Sequence, residues 1–330
     1  MLISSRTPLR VSFFGGGTDY AQYYERRPGA VVGMAIDRYI YISALRLAQI
    51  IDYKYRISYS RLEKVNHTRE LEHPVIRAVL DHYHVEDALD ISIQSDLPAF
   101  SGLGSSSAFT VGLINLISTL QGKRITRFEL GRTAIYVERQ LLNENVGSQD
   151  QFHAAYGGLN RFDFGDGRIR ITPVQMSSAC QDYLVSSLIL VYTGTTRFAS
   201  QVLVEQMTAT TERRIDRELG HLVALTTEAV EVLEGSEPET MLKEFGRMME
   251  EGWQTKRRLS PGISSPKIDM LYDAARSAGA IGGKLCGAGG GGFLLMVVPP
   301  PERHRFLERM KGAHLIPIGM DSHGSVILTG

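Results

Sequence analysis

The spacing of apolar positions divides the chain into short β-type runs and longer helical ones. Residues 9–14 (LRVSFF), 30–36 (AVVGMAI) and 38–45 (RYIYISAL) are rich in β-branched and aromatic side chains, and the last alternates as a half-buried strand does. The junction of the second and third, at Asp37-Arg38, is too short for a crossover helix, so an antiparallel hairpin is expected there. Helical spacing over 74–84 leads to a strand at 89–94 and then to helices over 104–121 and 127–142. GGLNRFDF and GRIRITPV read as a hairpin that turns at Gly165-Asp166-Gly167.

Past residue 176 the rhythm changes. The strand SSLILVYTG precedes long helical stretches over 198–233 and 238–258 and a helix near 266–277. The strands AIGGKLCG and FLLMVV flank a four-glycine run, and a helix over 302–311 comes before a closing strand. Strands and helices mix without strict βαβα alternation, which predicts an α+β protein of two domains, 1–175 and 176–330.

Composition narrows the classes of function. The 330 residues are 43% hydrophobic and 22% charged, as in an ordinary globular protein. Lys plus Arg (36) balance Asp plus Glu (36), so no overall field favours nucleic acid or an anionic membrane, while a small anionic ligand needs only a few local cations. Cys180 and Cys286 read as reduced thiols, and MLISSRTPLRVSFFGGG lacks the apolar core of a signal peptide, so a cytoplasmic protein is expected. No charge occurs from Leu97 to Gly122, but Pro98 and glycines interrupt that stretch; its apolar part reads as a buried helix, not a membrane span.

Three glycine-rich stretches carry candidate chemistry. PAFSGLGSSSAF follows a strand and opens a helix at Gly104 or Ser105. The first amides of a helix lack internal partners and sit at its positive end, so they attract anions. One serine would cap such a helix, and three in a row point to a phosphate, held from Gly102 to Ser107. No Lys-Ser/Thr pair makes this a Walker loop, and Ser107 stands where a dinucleotide fingerprint needs Gly or Ala. PLRVSFFGGGTDY delivers three glycines, then Thr18 and Asp19: either an acceptor for sugar hydroxyls or a tight turn with a surface carboxylate. KLCGAGGGGFLLMVV pins its glycines between two apolar strands, where a flexible linker does not belong, so close approach to another backbone or a ligand is expected.

Two carboxylates complete the set. Glu138 shares a helix face with Ala134, Ile135, Leu141 and Leu142, so it projects from an apolar stripe and calls for a metal or a structural salt bridge. Asp150 lies in NVGSQDQFHAAYGG, where Ser148 and Gln151 resemble a capping box and place it in the first turn of a short helix. The helix dipole favours its ionised form there, whether it is catalytic or a surface residue.

Together these segments resemble the GHMP kinase superfamily. TPLRVSFFGGGTDY, PAFSGLGSSSAF and KLCGAGGGGF match its three motifs in order, and VGSQDQ resembles the segment with the catalytic Asp. GGGTDY, YTGTTR and KLCGAGGGGF look most like the D-glycero-D-manno-heptose 7-phosphate kinases and the kinase part of fucokinases. The resemblance implies a two-lobed fold, a β-α-β N-terminal domain beside a ferredoxin-like C-terminal one, and ATP-dependent phosphorylation of a sugar's anomeric hydroxyl. It implies ATP phosphates on Gly102, Leu103, Gly104, Ser105, Ser106 and Ser107, with Mg²⁺ held by Ser106 and Glu138. Asp150 would face the acceptor hydroxyl as base or orienter, with Arg10 polarising it. Gly17, Thr18, Asp19, Arg197, Gly287, Ala288 and Gly289 would meet the substrate, whose own phosphate has Arg197 or the Lys256-Arg257-Arg258 run as candidate partners. Where many members have Gly-Glu-His before Thr-Asp, this chain has Gly15-Gly16-Gly17, so any role of that Glu or His is missing. The implied partners are a small sugar phosphate and ATP, with neither nucleic acid nor membrane, and a homo-oligomer is compatible. Rival expectations are a fucose or galactose 1-kinase and a non-catalytic sugar or nucleotide sensor on the same scaffold.

Overall fold

The computed structural model describes residues 2–48, 50–195 and 200–329. Among these residues twelve strands form two sheets. They are β1 (Leu2–Phe14), β2 (Gly29–Arg46), β3 (Tyr55–Ser58), β4 (Leu62–Val65), β5 (Leu89–Ser95), β6 (Leu159–Gly165), β7 (Arg168–Pro173), β8 (Leu188–Tyr192), β9 (Gly282–Leu285), β10 (Phe293–Val297), β11 (Leu315–Pro317) and β12 (Val326–Thr329). The first sheet has the order β12-β1-β2-β5-β3-β4, with β6 and β7 attached to β2; the second has the order β11-β8-β10-β9.

The helices are α1 (Ala21–Tyr24), α2 (Pro74–His82), α3 (Ser105–Leu120), α4 (Arg127–Tyr136), α5 (Gln149–Tyr156), α6 (Ser178–Ser186), α7 (Ser200–Thr211), α8 (Asp216–Gly235), α9 (Pro238–Arg257), α10 (Pro266–Ala278) and α11 (Arg303–Arg309). In chain order the second sheet reads strand, helices, two strands, helix, strand, with its outer strands adjacent to the inner ones of opposite number. This is the ferredoxin-like arrangement, so the protein is α+β as expected.

Three expectations need correction. The hairpin at Asp37-Arg38 does not form: β2 runs straight through, its first half pairing with β6 and its second with β5. Along β1 the register jumps from Pro8↔Tyr39 to Arg10↔Ala35, so β2 carries extra residues as a bulge. A bulge bends a strand without reversing it. Asp37 fastens the bend to the C-terminal segment, its Oδ1 accepting from the Gly319 amide at 2.7 Å. The helical run over 198–233 breaks between α7 and α8, where Arg213 adopts φ 62°, while residues 198 and 199 lie outside the described ones. Finally β12, in the half of the chain expected to form the second domain, pairs antiparallel with β1 of the first sheet.

Helix α3 is apolar on nearly every face and buried, as a core helix must be. No helix among the described residues is long and apolar enough to cross a membrane. The apolar core continues between the sheets where β1 ends: Phe13 and Phe14 meet Phe245 of α9 edge-on, with ring centroids 5.1 and 5.4 Å apart. That contact sets the end of β1 against the second sheet's helices, and a cleft opens beside it.

Candidate active site

The cleft is lined from the first sheet by Arg10, Asp19, Ser105, Ser106 and Asp150, and from the second by Lys256, Lys284 and Gly287. Strand β1 presents Arg10, and the first turn of α5 presents Asp150. Their side chains form a two-pronged pair: Arg10 Nε donates to Asp150 Oδ1 at 2.8 Å and Nη2 to Oδ2 at 2.7 Å. Arg10 Nη1 donates to the Gly102 carbonyl at 2.7 Å, which ties the pair to the loop before α3. The guanidinium is nearly buried and the carboxylate a quarter exposed, so the pair is fixed from behind and open on the Asp150 side.

The capping box expected at α5 is absent. Ser148 Oγ lies 3.2 Å from the Tyr24 hydroxyl. Instead Asp19 takes the capping role from outside: its Oδ2 accepts from the Gln149 amide at 3.3 Å and its Oδ1 from the Gly17 amide at 3.1 Å. Asp19 is thus neither a surface residue nor a loosely held one; it is buried in the cleft wall, and burial followed by the nearby Asp150 raises its pKa.

Gly104 caps α3 in a left-handed conformation (φ 73°), leaving the first amides of the helix without a side-chain partner at the cap, and Ser106 stands exposed beside them. The glycines of this loop serve a purpose that its sequence alone did not separate from ligand approach. A Cβ at Gly102 would lie 2.6 Å from the Cys286 carbonyl oxygen, and one at Gly287 would lie 2.5 Å from the Gly102 Cα. The two glycine-rich loops therefore touch backbone to backbone, as the KLCGAGGGG stretch predicted. Gly17, Gly287 and Ala288 line the cleft, whereas Gly289 packs against Ile263.

Glu138 follows α4 in a π-helical turn (Val137–Leu141) and is wholly buried. Such turns occur often at functional sites because they re-aim one side chain. Among the described residues Glu138 has no salt bridge: its Oε2 accepts from Ser107 Oγ at 3.0 Å and from Gln151 Nε2. Its Oε1 has no partner, and burial pushes its pKa up to about 7. A buried carboxylate oxygen left open is what an oxygen-seeking divalent cation requires.

Other expected residues fall away from the cleft. The Thr18 hydroxyl donates to the Gly15 and Ala30 carbonyls at 2.8 and 2.9 Å and accepts from the Ala30 amide, so it locks the turn after β1. Leu103 is a core side chain; its carbonyl accepts from the Arg10 amide at 3.0 Å. Arg197 lies outside the described residues. The sequence missed Lys284 as a cleft cation and Gln151 as the partner of Glu138; Lys284 opens the motif KLCGAGGGGF and Gln151 closes VGSQDQ, but only the tertiary fold aims them.

Comparison with known proteins agrees with this arrangement. The family model for the GHMP kinases N terminal domain matches residues 67–158, and that for the GHMP kinases C terminal matches residues 239–315, together about half the chain. The D-glycero-alpha-D-manno-heptose 7-phosphate kinase of Campylobacter jejuni is 25% identical over 303 residues, covering 87% of this chain and 86% of that one. A bifunctional fucokinase/GDP-fucose pyrophosphorylase of Arabidopsis thaliana is 25% identical over 308 residues, 86% of this chain but 28% of that protein. Among solved structures, a D-glycero-D-manno-heptose 1-phosphate kinase from Bacteroides thetaiotaomicron superposes with a TM-score of 0.75 at 24% identity, covering 99% of both chains, which shows the shared fold. The chain belongs to the GHMP kinase family, phosphotransferases that move a phosphoryl group from ATP to an alcohol.

Proposed function

We propose that the protein is an ATP-dependent sugar kinase that phosphorylates the anomeric hydroxyl of D-glycero-D-manno-heptose 7-phosphate, giving the 1,7-bisphosphate. The observation that carries the kinase reading is the Arg10–Asp150 pair opening onto the same cleft as the start of α3. The sugar phosphate is favoured by the likeness to the Campylobacter enzyme over 87% of the chain. This reading also keeps residues 1–175 as the domain of the ATP and sugar motifs and the rest of the chain as the C-terminal domain, apart from β12, which joins the first sheet.

In this reading the free amides of α3 with Ser105 and Ser106 bind the nucleotide phosphates, as a helix start suits negative charge. The open Glu138 oxygen fits Mg²⁺; the proposed second ligand, Ser106, lines the cleft, whereas the serine bonded to Glu138 is Ser107, and the ion would neutralise charge on the phosphates. Asp150, held by Arg10 at both oxygens, orients the acceptor hydroxyl and takes its proton. The acceptor oxygen bonds to the γ-phosphorus as the bridging P–O bond breaks, and ADP leaves with that electron pair. The transition state is loose, so little proton removal is needed before bond breaking, and orientation contributes more than basicity. Asp19, fixed by two amides, meets sugar hydroxyls, and Gly17, Gly287 and Ala288 shape the cleft around them.

The test is ATP-dependent turnover of paired acceptors. The heptose 7-phosphate should give the highest kcat/KM, above fucose, galactose and mevalonate. Rapid turnover of unphosphorylated fucose or galactose with none of the heptose phosphate would replace this reading with the sugar 1-kinase one.

A further inference from the structure

Among the described residues three cations line the cleft, and they are held in two different ways. Arg10 is matched by Asp150. Lys256, near the end of α9, and Lys284, on β9, are both buried, yet no salt bridge joins either to a carboxylate among the described residues. Lys256 Nζ donates to the carbonyls of Leu285 (3.0 Å) and Gly287. Lys284 Nζ donates to the Phe13 carbonyl at 2.9 Å, reaching from the second sheet to the end of β1. An ammonium group has three protons to donate, so these bonds leave one free on Lys256 and two on Lys284.

The arrangement is costly in isolation. Burial lowers the pKa of Lys256 well below the ordinary lysine value, and Lys284 adds to the effect; burial takes Lys284 to about 8. Buried charges are normally paired. The rest of the basic run is paired or outward: Arg257 donates to Asp269 at 2.9 Å, and Arg258 bonds only to its own helix. Of the run Lys256-Arg257-Arg258, only Lys256 thus lines the cleft.

We propose that Lys256 and Lys284 form a receptor for a phosphate group, supplied by the C-terminal half of the chain opposite the Arg10–Asp150 pair. It rests on the kinase reading and deepens it. The group bound is either the phosphate that the acceptor already carries or the phosphoryl being transferred; both are tetrahedral dianions that two ammonium groups lining one cleft complement.

The whole chain is tested as Lys256→Met and Lys284→Met, with folding checked by thermal melting. Inorganic phosphate, titrated by calorimetry without nucleotide, should bind the wild type and bind each variant at least about tenfold more weakly, the worth of a charged hydrogen bond. Equal affinity in all three proteins, or no binding to the wild type, overturns the proposal. Two ratios then assign the source. If the acceptor supplies the group, the preference for heptose 7-phosphate over heptose in kcat/KM falls about 10- to 100-fold in the variants, while the preference for a non-hydrolysable ATP analogue over ADP holds. If the nucleotide supplies it, the second ratio falls and the first holds. Both ratios unchanged also overturns it. Should a methionine variant melt early, Lys→Gln keeps a donor for the carbonyls and removes only the charge, and the same ratios are read from it. Failure of the heptose phosphate to turn over would remove the acceptor reading, while the phosphate titration still decides the lysines.

Discussion

The two walls of the cleft manage charge in opposite ways. On the wall built by β1, α3 and α5, the charged groups have partners: Arg10 with Asp150, and Asp19 with two backbone amides, while behind it one oxygen of the buried Glu138 is held by Ser107 and Gln151. On the wall built by α9 and β9, two buried lysines have only carbonyls as hydrogen-bond partners among the described residues. A preorganised wall costs nothing to rearrange when the reaction occurs, which suits the groups that act on the reacting atoms. An unmatched wall suits the opposite task, since its charge is stabilised only when an anion arrives. On the proposed function, the difference separates residues that would aim the chemistry from residues that would recognise what is brought to it.

Breaking the matched wall at its centre should have the largest effect. Asp150→Asn keeps the size of the side chain and one acceptor for Arg10 but removes the charge and the proton-accepting oxygen. We expect kcat to fall by about 10²- to 10⁴-fold, the range for a lost general base. ATP affinity should stay the same or improve slightly, because a carboxylate near phosphates repels them. Single-turnover phosphoryl transfer beside nucleotide calorimetry measures both, and near wild-type transfer would reduce the pair to a structural brace.

Next comes Glu138→Gln, which keeps the bonds to its neighbours and removes the open charged oxygen. Activity should drop about 10- to 100-fold and recover in part with added Mg²⁺. The melting temperature should hold or rise, since a buried carboxylate without a cation is a cost to folding. A lower melting temperature with unchanged Mg²⁺ dependence would make Glu138 purely structural.

The matched wall was far more legible in the sequence than the unmatched one. Arg10, Asp150 and the serines lie inside motifs whose residue types state their chemistry, and the burial of Glu138 followed from the apolar neighbours on its own helix. Those signals are local. Lys256 sits in a charge run, and Lys284 opens a motif whose signal is its glycines, so only the docking of α9 and β9 against β1 distinguishes them from solvated lysines. The same limit explains the misread hairpin. Asp37-Arg38 has the polarity of a turn, but pairing of β2 with two different partners keeps it extended. The capping box failed because the carboxylate of Asp19, distant in sequence, supplied the cap instead.

The walls meet where Gly102 faces Gly287, and a single methyl group tests that contact. Gly287→Ala places a Cβ 2.5 Å from the Gly102 Cα at φ 68°, whereas Gly290→Ala, at φ 79°, has no neighbour nearer than 3.9 Å. Both replacements carry the left-handed penalty of about 1–2 kcal/mol. Only the first adds overpacking of about 1–3 kcal/mol. Denaturant unfolding should therefore rank Gly287→Ala as the less stable by that margin, and equal stabilities would mean the loops do not interlock.

The smallest effect sharpens the unmatched wall. With Lys284 held at about 8 in the folded protein against an ordinary 10.5, it is charged in both states below pH 8. Between 8 and 10.5 the unfolded chain holds a proton that the folded one has released, so stability gains from this group as pH rises, by at most about 1.4 kcal/mol per pH unit. Phosphate binding needs the proton and should weaken through the same window. The groups around Lys284 are Cys286, Arg10, Asp19 and Lys256, and their titrations cancel to first order when the wild type is compared with Lys284→Met. Urea unfolding of both proteins from pH 7.5 to 10 reads the difference. It should climb in favour of the wild type as pH rises; a flat difference would show that Lys284 keeps its ordinary proton affinity and has company, among the groups of the cleft, that already satisfies its charge.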